Sequence, residues 1–212
     1  MKLKFILALV ACSLTLLAAD KDGFKSVFNG KDFEGWAGPV ENYEVVDGAI
    51  QCKKGKGGTI HTKEEYGDFV VRLEFRVPPG GNNGLAIRYP GKGDTAYVGM
   101  CELQVLDDSA EKYAKLDARQ YHGSAYGMVA AKRGAQKPVG EWNQQEVTVK
   151  GSSIKVVLNG QVILDADLSK ADPEKFMGKS KHPGLALTKG FFGFAGHGDA
   201  VAFRNISIKR LD

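Results

Sequence analysis

The sequence predicts an all-β fold of two stacked antiparallel sheets, and three observations predict it. Apolar and polar residues alternate with period two through much of the chain, tight-turn signals separate the alternating runs, and helical periodicity is nearly absent. Glycine makes up 27 of the 212 residues with no Gly-X-Y period, so the excess reads as many turns between short strands. A chain of this length fits one well-cored domain. No internal repeat and no linker composition divides it.

The strands can be placed in order. Phe69, Val71, Leu73, Phe75 and Val77 interleave with Val70, Arg72, Glu74 and Arg76, giving one apolar face and one largely charged face. Leu85, Ile87 and Tyr89 alternate with Gly84, Ala86 and Arg88, and Cys101, Leu103 and Val105 with Glu102 and Gln104. Three runs at 147–150, 154–158 and 162–164 follow, and 191–195 and 201–209 close the set. Asp47-Gly48, Lys150-Gly151 and above all Asn159-Gly160 carry hairpin chemistry, because glycine, and Asn or Asp before it, tolerate the positive φ that such turns require. Ser169 to Met177 predicts a short helical turn, opening at Ser169 or Asp172, with Pro173 just inside it. Residues 107–140 lack alternation; Tyr113, Tyr121, His122, Tyr126 and Arg133 in this glycine-containing stretch read as a binding wall.

The first 19 residues read as an export signal ahead of a single domain at 20–212: Lys2 and Lys4, an apolar run from Phe5 to Leu17, then Ala18 and Ala19. That run is too short to span a bilayer, so no transmembrane span is expected. Cleavage near Ala18 or Ala19 would release a soluble periplasmic product; the alternative, Leu9-Val10-Ala11-Cys12 as a lipoprotein box, would leave a lipid anchor on Cys12. Signal removal lowers Lys+Arg from 29 to 27 against 25 Asp+Glu, a balance that gives no long-range attraction to nucleic acid. Cys52 and Cys101 then remain; an oxidising compartment permits a disulfide, whereas their apolar phase favours buried free thiols. No feature sets an oligomeric state.

The candidate chemistry centres on Arg88, Glu102 and Gln104. Their neighbours Ile87, Leu103 and Val105 form the apolar set, so these three are expected to point away from the core, with Arg88 in reach of Glu102. A solvent-facing ion pair is the plain alternative. Asp107-Asp108 adds acid at the strand end. His122 and His197 are glycine-flanked, which lets a ring approach a ligand closely. His61, in a glycine-rich surface stretch, and His182 are expected to be structural, and Trp142 to fill the core. There is no nucleophile elbow, phosphate loop, dinucleotide fingerprint or zinc spacing. No cofactor is required by any motif.

Several segments, taken together, resemble one family. Phe24 to Trp36 (FKSVFNGKDFEGW), Asn82 to Arg88 (NNGLAIR), Glu102 to Asp108 (ELQVLDD), His122 to Gly127 (HGSAYG), Lys137 to Asn143 (KPVGEWN), and Gly193 to Gly198 through Phe203 to Ile206 are similar, in order, to the motifs of the 3-keto-disaccharide hydrolase domain. The resemblance implies a concanavalin A-like, glucanase-type jelly roll acting on a carbohydrate substrate, a glycoside already oxidised at C3. A C3 ketone acidifies the C2 hydrogen, so a base can remove it, the C1 substituent can leave, and water can add across the double bond. Such chemistry needs a base, an acid and a group for the enolate. On that resemblance Glu102 or His197 is the base or acid, Arg88, Gln104 and Asp107 bind the substrate, and His122 and Tyr126 line the pocket. A divalent cation would serve the enolate, although no motif demands one. Laminarinase-type relatives carry Glu-x-Asp-x-x-Glu where this chain has Glu102-x-Gln104-x-x-Asp107, which disfavours an ordinary retaining mechanism. A carbohydrate-binding module, an ordinary glycosidase and a structural envelope protein are the rival readings.

Overall fold

The computed structural model describes residues 22–178 and 182–212; the expected signal segment, with Cys12 and the expected cleavage sites, lies outside the described residues. Strands run in the order β1 (Lys25–Ser26), β2 (Trp36–Ala37), β3 (Tyr43–Val46), β4 (Ala49–Cys52), β5 (Gly58–Tyr66), β6 (Phe69–Arg76), β7 (Asn82–Tyr89), β8 (Cys101–Leu106), β9 (Asn143–Lys150), β10 (Ser153–Leu158), β11 (Gln161–Asp167), β12 (Gly190–Gly196) and β13 (Ala202–Arg210), with one short helix, α1 (Thr95–Val98), between β7 and β8. They form two antiparallel sheets. The larger, of eight strands, has the order β11-β10-β9-β6-β13-β4-β3 with β1 paired to β13; the smaller, of five, has the order β2-β5-β12-β7-β8. This is a jelly-roll sandwich of the concanavalin A-like, glucanase type. Among the described residues no helix is long and apolar enough to cross a membrane.

The alternation read from sequence is what closes the sandwich. Val71, Leu73 and Phe75 of β6 and Leu103 and Val105 of β8 turn their apolar faces inward and are fully or nearly fully buried. Phe194 of β12 and Phe203 of β13 stack across the gap with ring centroids 3.9 Å apart, and Trp36 stacks on Phe194 at 5.3 Å. Such aromatic pairs contribute about 0.5–1.5 kcal/mol beyond the area they bury. Asn159 and Gly160 both have positive φ, 49° and 83°, and join β10 to β11 by the predicted two-residue hairpin. Cys52 and Cys101 are free and buried.

The short turn expected within 169–177 is a 3-10 turn, Pro173–Lys175, with Pro173 just inside it and Asp172 as its cap, accepting from Glu174 N; another 3-10 turn, Leu168–Lys170, precedes it. Two expectations are corrected. His61 lies within β5, nearly buried, stacked on Phe191 at 4.4 Å with Tyr89 at its edge. The few apolar residues of β5 hid this strand from a periodicity argument. Trp142 is half-buried outside the core, with the Arg204 guanidinium 4.0 Å from its ring centroid and that of Arg76 at 4.8 Å. Two arginines on the outer face of the larger sheet hold it there by cation–π attraction.

Candidate functional site

The outer face of the five-stranded sheet carries a cleft of about 200 Å³. Its floor comes from β8. Because Cys101, Leu103 and Val105 point inward, Glu102, Gln104 and Leu106 necessarily point into the cleft. Glu102 is only 3% exposed, and its carboxylate lies over Gly84 of β7, where any side chain would collide with it. Gln104 donates its amide to Asn82 Oδ1 at 2.6 Å and to the Asn83 carbonyl at 3.3 Å.

The walls come from three other segments. The turn after β12 brings in His197, half-exposed, with Nε2 3.6 Å from Glu102 Oε1. That is an ion-pair separation, too long for a well-formed hydrogen bond. The turn is pinned on both sides: Asp199 accepts from Asn82 N at 3.1 Å, and Gly55 N donates to the Gly198 carbonyl at 2.8 Å. Helix α1 contributes Tyr97, and its N-cap Asp94 accepts from Ala96 N at 3.1 Å. Thr95 anchors this helix through a 2.6 Å hydroxyl contact to Thr59 of β5. The long stretch after β8 supplies Tyr113, Leu116, Gln120 and Tyr126. It is held against the sheet edge, since Tyr126 N donates to the Glu102 carbonyl at 2.9 Å and Gln104 N to the Ser124 carbonyl at 3.0 Å.

Glu102 dominates the electrostatics of the cleft. Its carboxylate raises the His197 pKa above the ordinary imidazole value; partial desolvation opposes this, and Asp94 and Asp199 add to the rise. The cleft therefore holds a buried carboxylate beside an imidazole biased toward its charged form. One group can take a proton while the other stabilises a developing oxyanion. Among the described residues no group of three His, Cys, Asp or Glu side chains is arranged to hold a metal ion.

A family model described as a 3-keto-alpha-glucoside-1,2-lyase-like domain matches residues 23–209. The chain belongs to that family. It is 30% identical over 238 aligned positions to a 3-keto-disaccharide hydrolase of Bacteroides thetaiotaomicron, covering 92% of this chain and 81% of that protein. Two crystal structures from Parabacteroides distasonis, each described as a candidate glycosyl hydrolase, share its fold. One has TM-score 0.78 and 30% identity over 89% of this chain and 99% of the other; the second has TM-score 0.75 and 27% identity over 90% and 95%. The function of this lyase-like domain is thus of the glycoside-hydrolase kind.

Within the lyase-like domain, the residues singled out from sequence separate into two groups. Glu102, Gln104, Tyr126 and His197 meet in the cleft. Arg88, Asp107 and His122 do not line it. Arg88 was expected to face away from the core and reach Glu102; instead a bulge intervenes. Ala86 pairs with Gly193 and Tyr89 with Phe191, so two residues of β7 oppose one of β12, and Arg88 takes a left-handed φ of 48°. The turned guanidinium is 3% exposed and joins the ends of both sheets, donating to the carbonyls of Gly67, Gly151 and Leu187 and to Asp68 Oδ1 at 2.8 Å.

Asp107 closes the turn after β8. Burial works against its charge, but the Ser109 hydroxyl and the N–H groups of Gly80 and Ser109 outweigh it and hold the pKa below the usual carboxylate value. His122 is turned into the sandwich, stacked on Phe75 at 4.7 Å with Nε2 2.9 Å from Gln145 Oε1, and burial lowers its pKa to about 4. Asn82, Asp94, Tyr97 and Gln120 are cleft residues that the candidate set from sequence omits. Asp94 and Tyr97 carried a local signal, an N-cap aspartate ahead of Thr-Ala-Tyr-Val. For Gln120 nothing local distinguished it.

Proposed function

We propose that this protein cleaves 3-keto-glycosides by elimination and rehydration, acting after export to the periplasm. Glu102 removes the proton at C2, which the neighbouring ketone makes acidic. His197, in its charged form, faces the C3 oxygen and stabilises the enolate. The C1–O bond then breaks, and water adds across C1 and C2 to give net hydrolysis. Gln104, fixed by Asn82, contributes to holding the sugar. The observation that carries this reading is the Glu102–His197 pair at 3.6 Å in the cleft floor. Family membership and the name of the Bacteroides thetaiotaomicron relative support the substrate class.

The same geometry argues against the ordinary glycosidase. A retaining mechanism needs two carboxyl groups facing one bond at about 5–5.5 Å. Asp107, the second acid of the strand motif, is committed to backbone N–H groups and a serine hydroxyl outside the cleft. Export is carried by the basic and apolar pattern of the first 19 residues.

The deciding experiment is release of nitrophenol from a nitrophenyl 3-keto-glucoside beside the unoxidised glucoside, with and without chelator. Turnover of the keto substrate alone is expected, falling about 10²–10⁴-fold in Glu102→Gln. Equal turnover of the unoxidised glucoside, or full activity in Glu102→Gln, would overturn it. Loss of activity with chelator would add a divalent cation to the site.

A further inference from the structure

Elimination leaves one task unassigned, because Glu102 and His197 deal with C2 and C3 while the departing C1 oxygen still needs a proton. Resting on the function proposed above, the geometry points to Tyr126 as the donor of that proton, with the sugar lying across Glu102 so that C3 faces His197 and C1 faces Tyr126.

The topology sets this order. Strand β8 is the terminal strand of its sheet, with β7 on one side. On its other side runs the 123–126 segment, where Gly123 N donates to the Gln104 carbonyl at 2.8 Å and Tyr126 N to that of Glu102 at 2.9 Å. His197 follows β12, which lies beyond β7. Tyr126 and His197 therefore approach Glu102 from opposite flanks, and all three line the same cleft. A 3-keto-pyranoside presents its reacting groups in the matching sequence: ketone at C3, acidic hydrogen at C2, leaving oxygen at C1.

The hydrogen bonds around Tyr126 have a fixed polarity. Asp117 N lies 3.2 Å from Gln120 Oε1, and a backbone N–H can only donate, so this end of the amide is its oxygen. The other end, Nε2, must then donate to the Tyr126 hydroxyl oxygen at 3.0 Å. Tyr126 accepts there, and its own proton has no acceptor among the described residues. A donor on the phenol oxygen also stabilises the phenolate left after proton transfer. The other cleft phenols are worse placed. Tyr113 spends its proton on the Gly80 carbonyl at 3.1 Å, and burial pushes the Tyr97 hydroxyl pKa up.

The step balances. Glu102 takes the C2 proton, the C1–O bond breaks with its electron pair on the leaving oxygen, and that oxygen takes the Tyr126 proton. Water then bonds C1 through oxygen and returns a proton to the Tyr126 phenolate, while Glu102 returns its proton to C2. One water is consumed and both side chains are restored.

Two leaving groups test the assignment. Nitrophenolate departs without protonation, whereas the alkoxide of a second sugar does not. In Tyr126→Phe, kcat/KM on a 3-keto-disaccharide should fall about 10²–10⁴-fold, while that on the nitrophenyl 3-keto-glucoside should fall less than about tenfold, with C2–H exchange in deuterium oxide retained. Equal losses on both substrates, or no loss on either, would overturn the role of Tyr126 and leave the proposed function standing. A wild-type protein inert toward both would instead overturn the proposed function itself, and this assignment with it.

Discussion

The carboxylate of Glu102 lies over Gly84 on the neighbouring strand, in the space a methyl group there would fill. Gly84 pairs with Gln104 across the β7–β8 ladder and has no left-handed backbone, so its lack of a side chain matters for space and not for φ. Gly84→Ala should therefore leave the fold intact and displace the carboxylate. A displacement of about 1 Å at a reacting group costs on the order of 100-fold in rate. The expected result is that loss in kcat/KM on a 3-keto-glucoside, with a melting temperature within a few degrees of wild type; unchanged kcat/KM would mean that Glu102 does not need its present position.

The raised His197 pKa gives a signed prediction. Because Glu102 favours the imidazolium, the ring should titrate above 6.5, the ordinary value, and any activity that needs the cation should fall as pH rises through that raised pKa. The stability linked to the pair has the same sign: it is complete below the unfolded value and is lost as pH rises past the folded one. Glu102→Gln removes the principal cause. An NMR titration should then show the His197 pKa lower in that variant than in wild type.

His122 gives the opposite slope. Its folded pKa near 4 lies below the unfolded 6.5, so between these values the unfolded chain binds the proton and the folded one does not. Stability is complete above about pH 6.5 and falls toward pH 4, by on the order of 3 kcal/mol from this group. Chemical unfolding at pH 7 and pH 4.5 should show most of that difference in wild type and much less of it in His122→Gln.

Arg88 should matter for stability and not for turnover. Its guanidinium satisfies three carbonyls and Asp68 from a site 3% exposed, and removing one partner of such a buried arrangement costs about 3 kcal/mol or more. Arg88→Met should lower the denaturant midpoint accordingly and leave kcat/KM of the folded enzyme within about twofold. A selective loss of activity at full stability would return Arg88 to the site.

What the sequence determined by itself was local. Period-two alternation set β6 and β8, and so turned Glu102 and Gln104 away from the core; Asn159-Gly160 set the β10–β11 hairpin, because both residues accept positive φ. Family resemblance added the chemistry expected of such a face. The tertiary structure decided what depends on register and on long-range contact. A bulge against β12 reversed Arg88, a shift between strands that no single strand's pattern contains. The turn after β12 carried His197 to Glu102, and the 123–126 segment laid Tyr126 along the other edge of β8. These placements come from pairings between segments far apart in the chain, whose energies are summed over the folded whole and leave no periodic mark on the residues that make them.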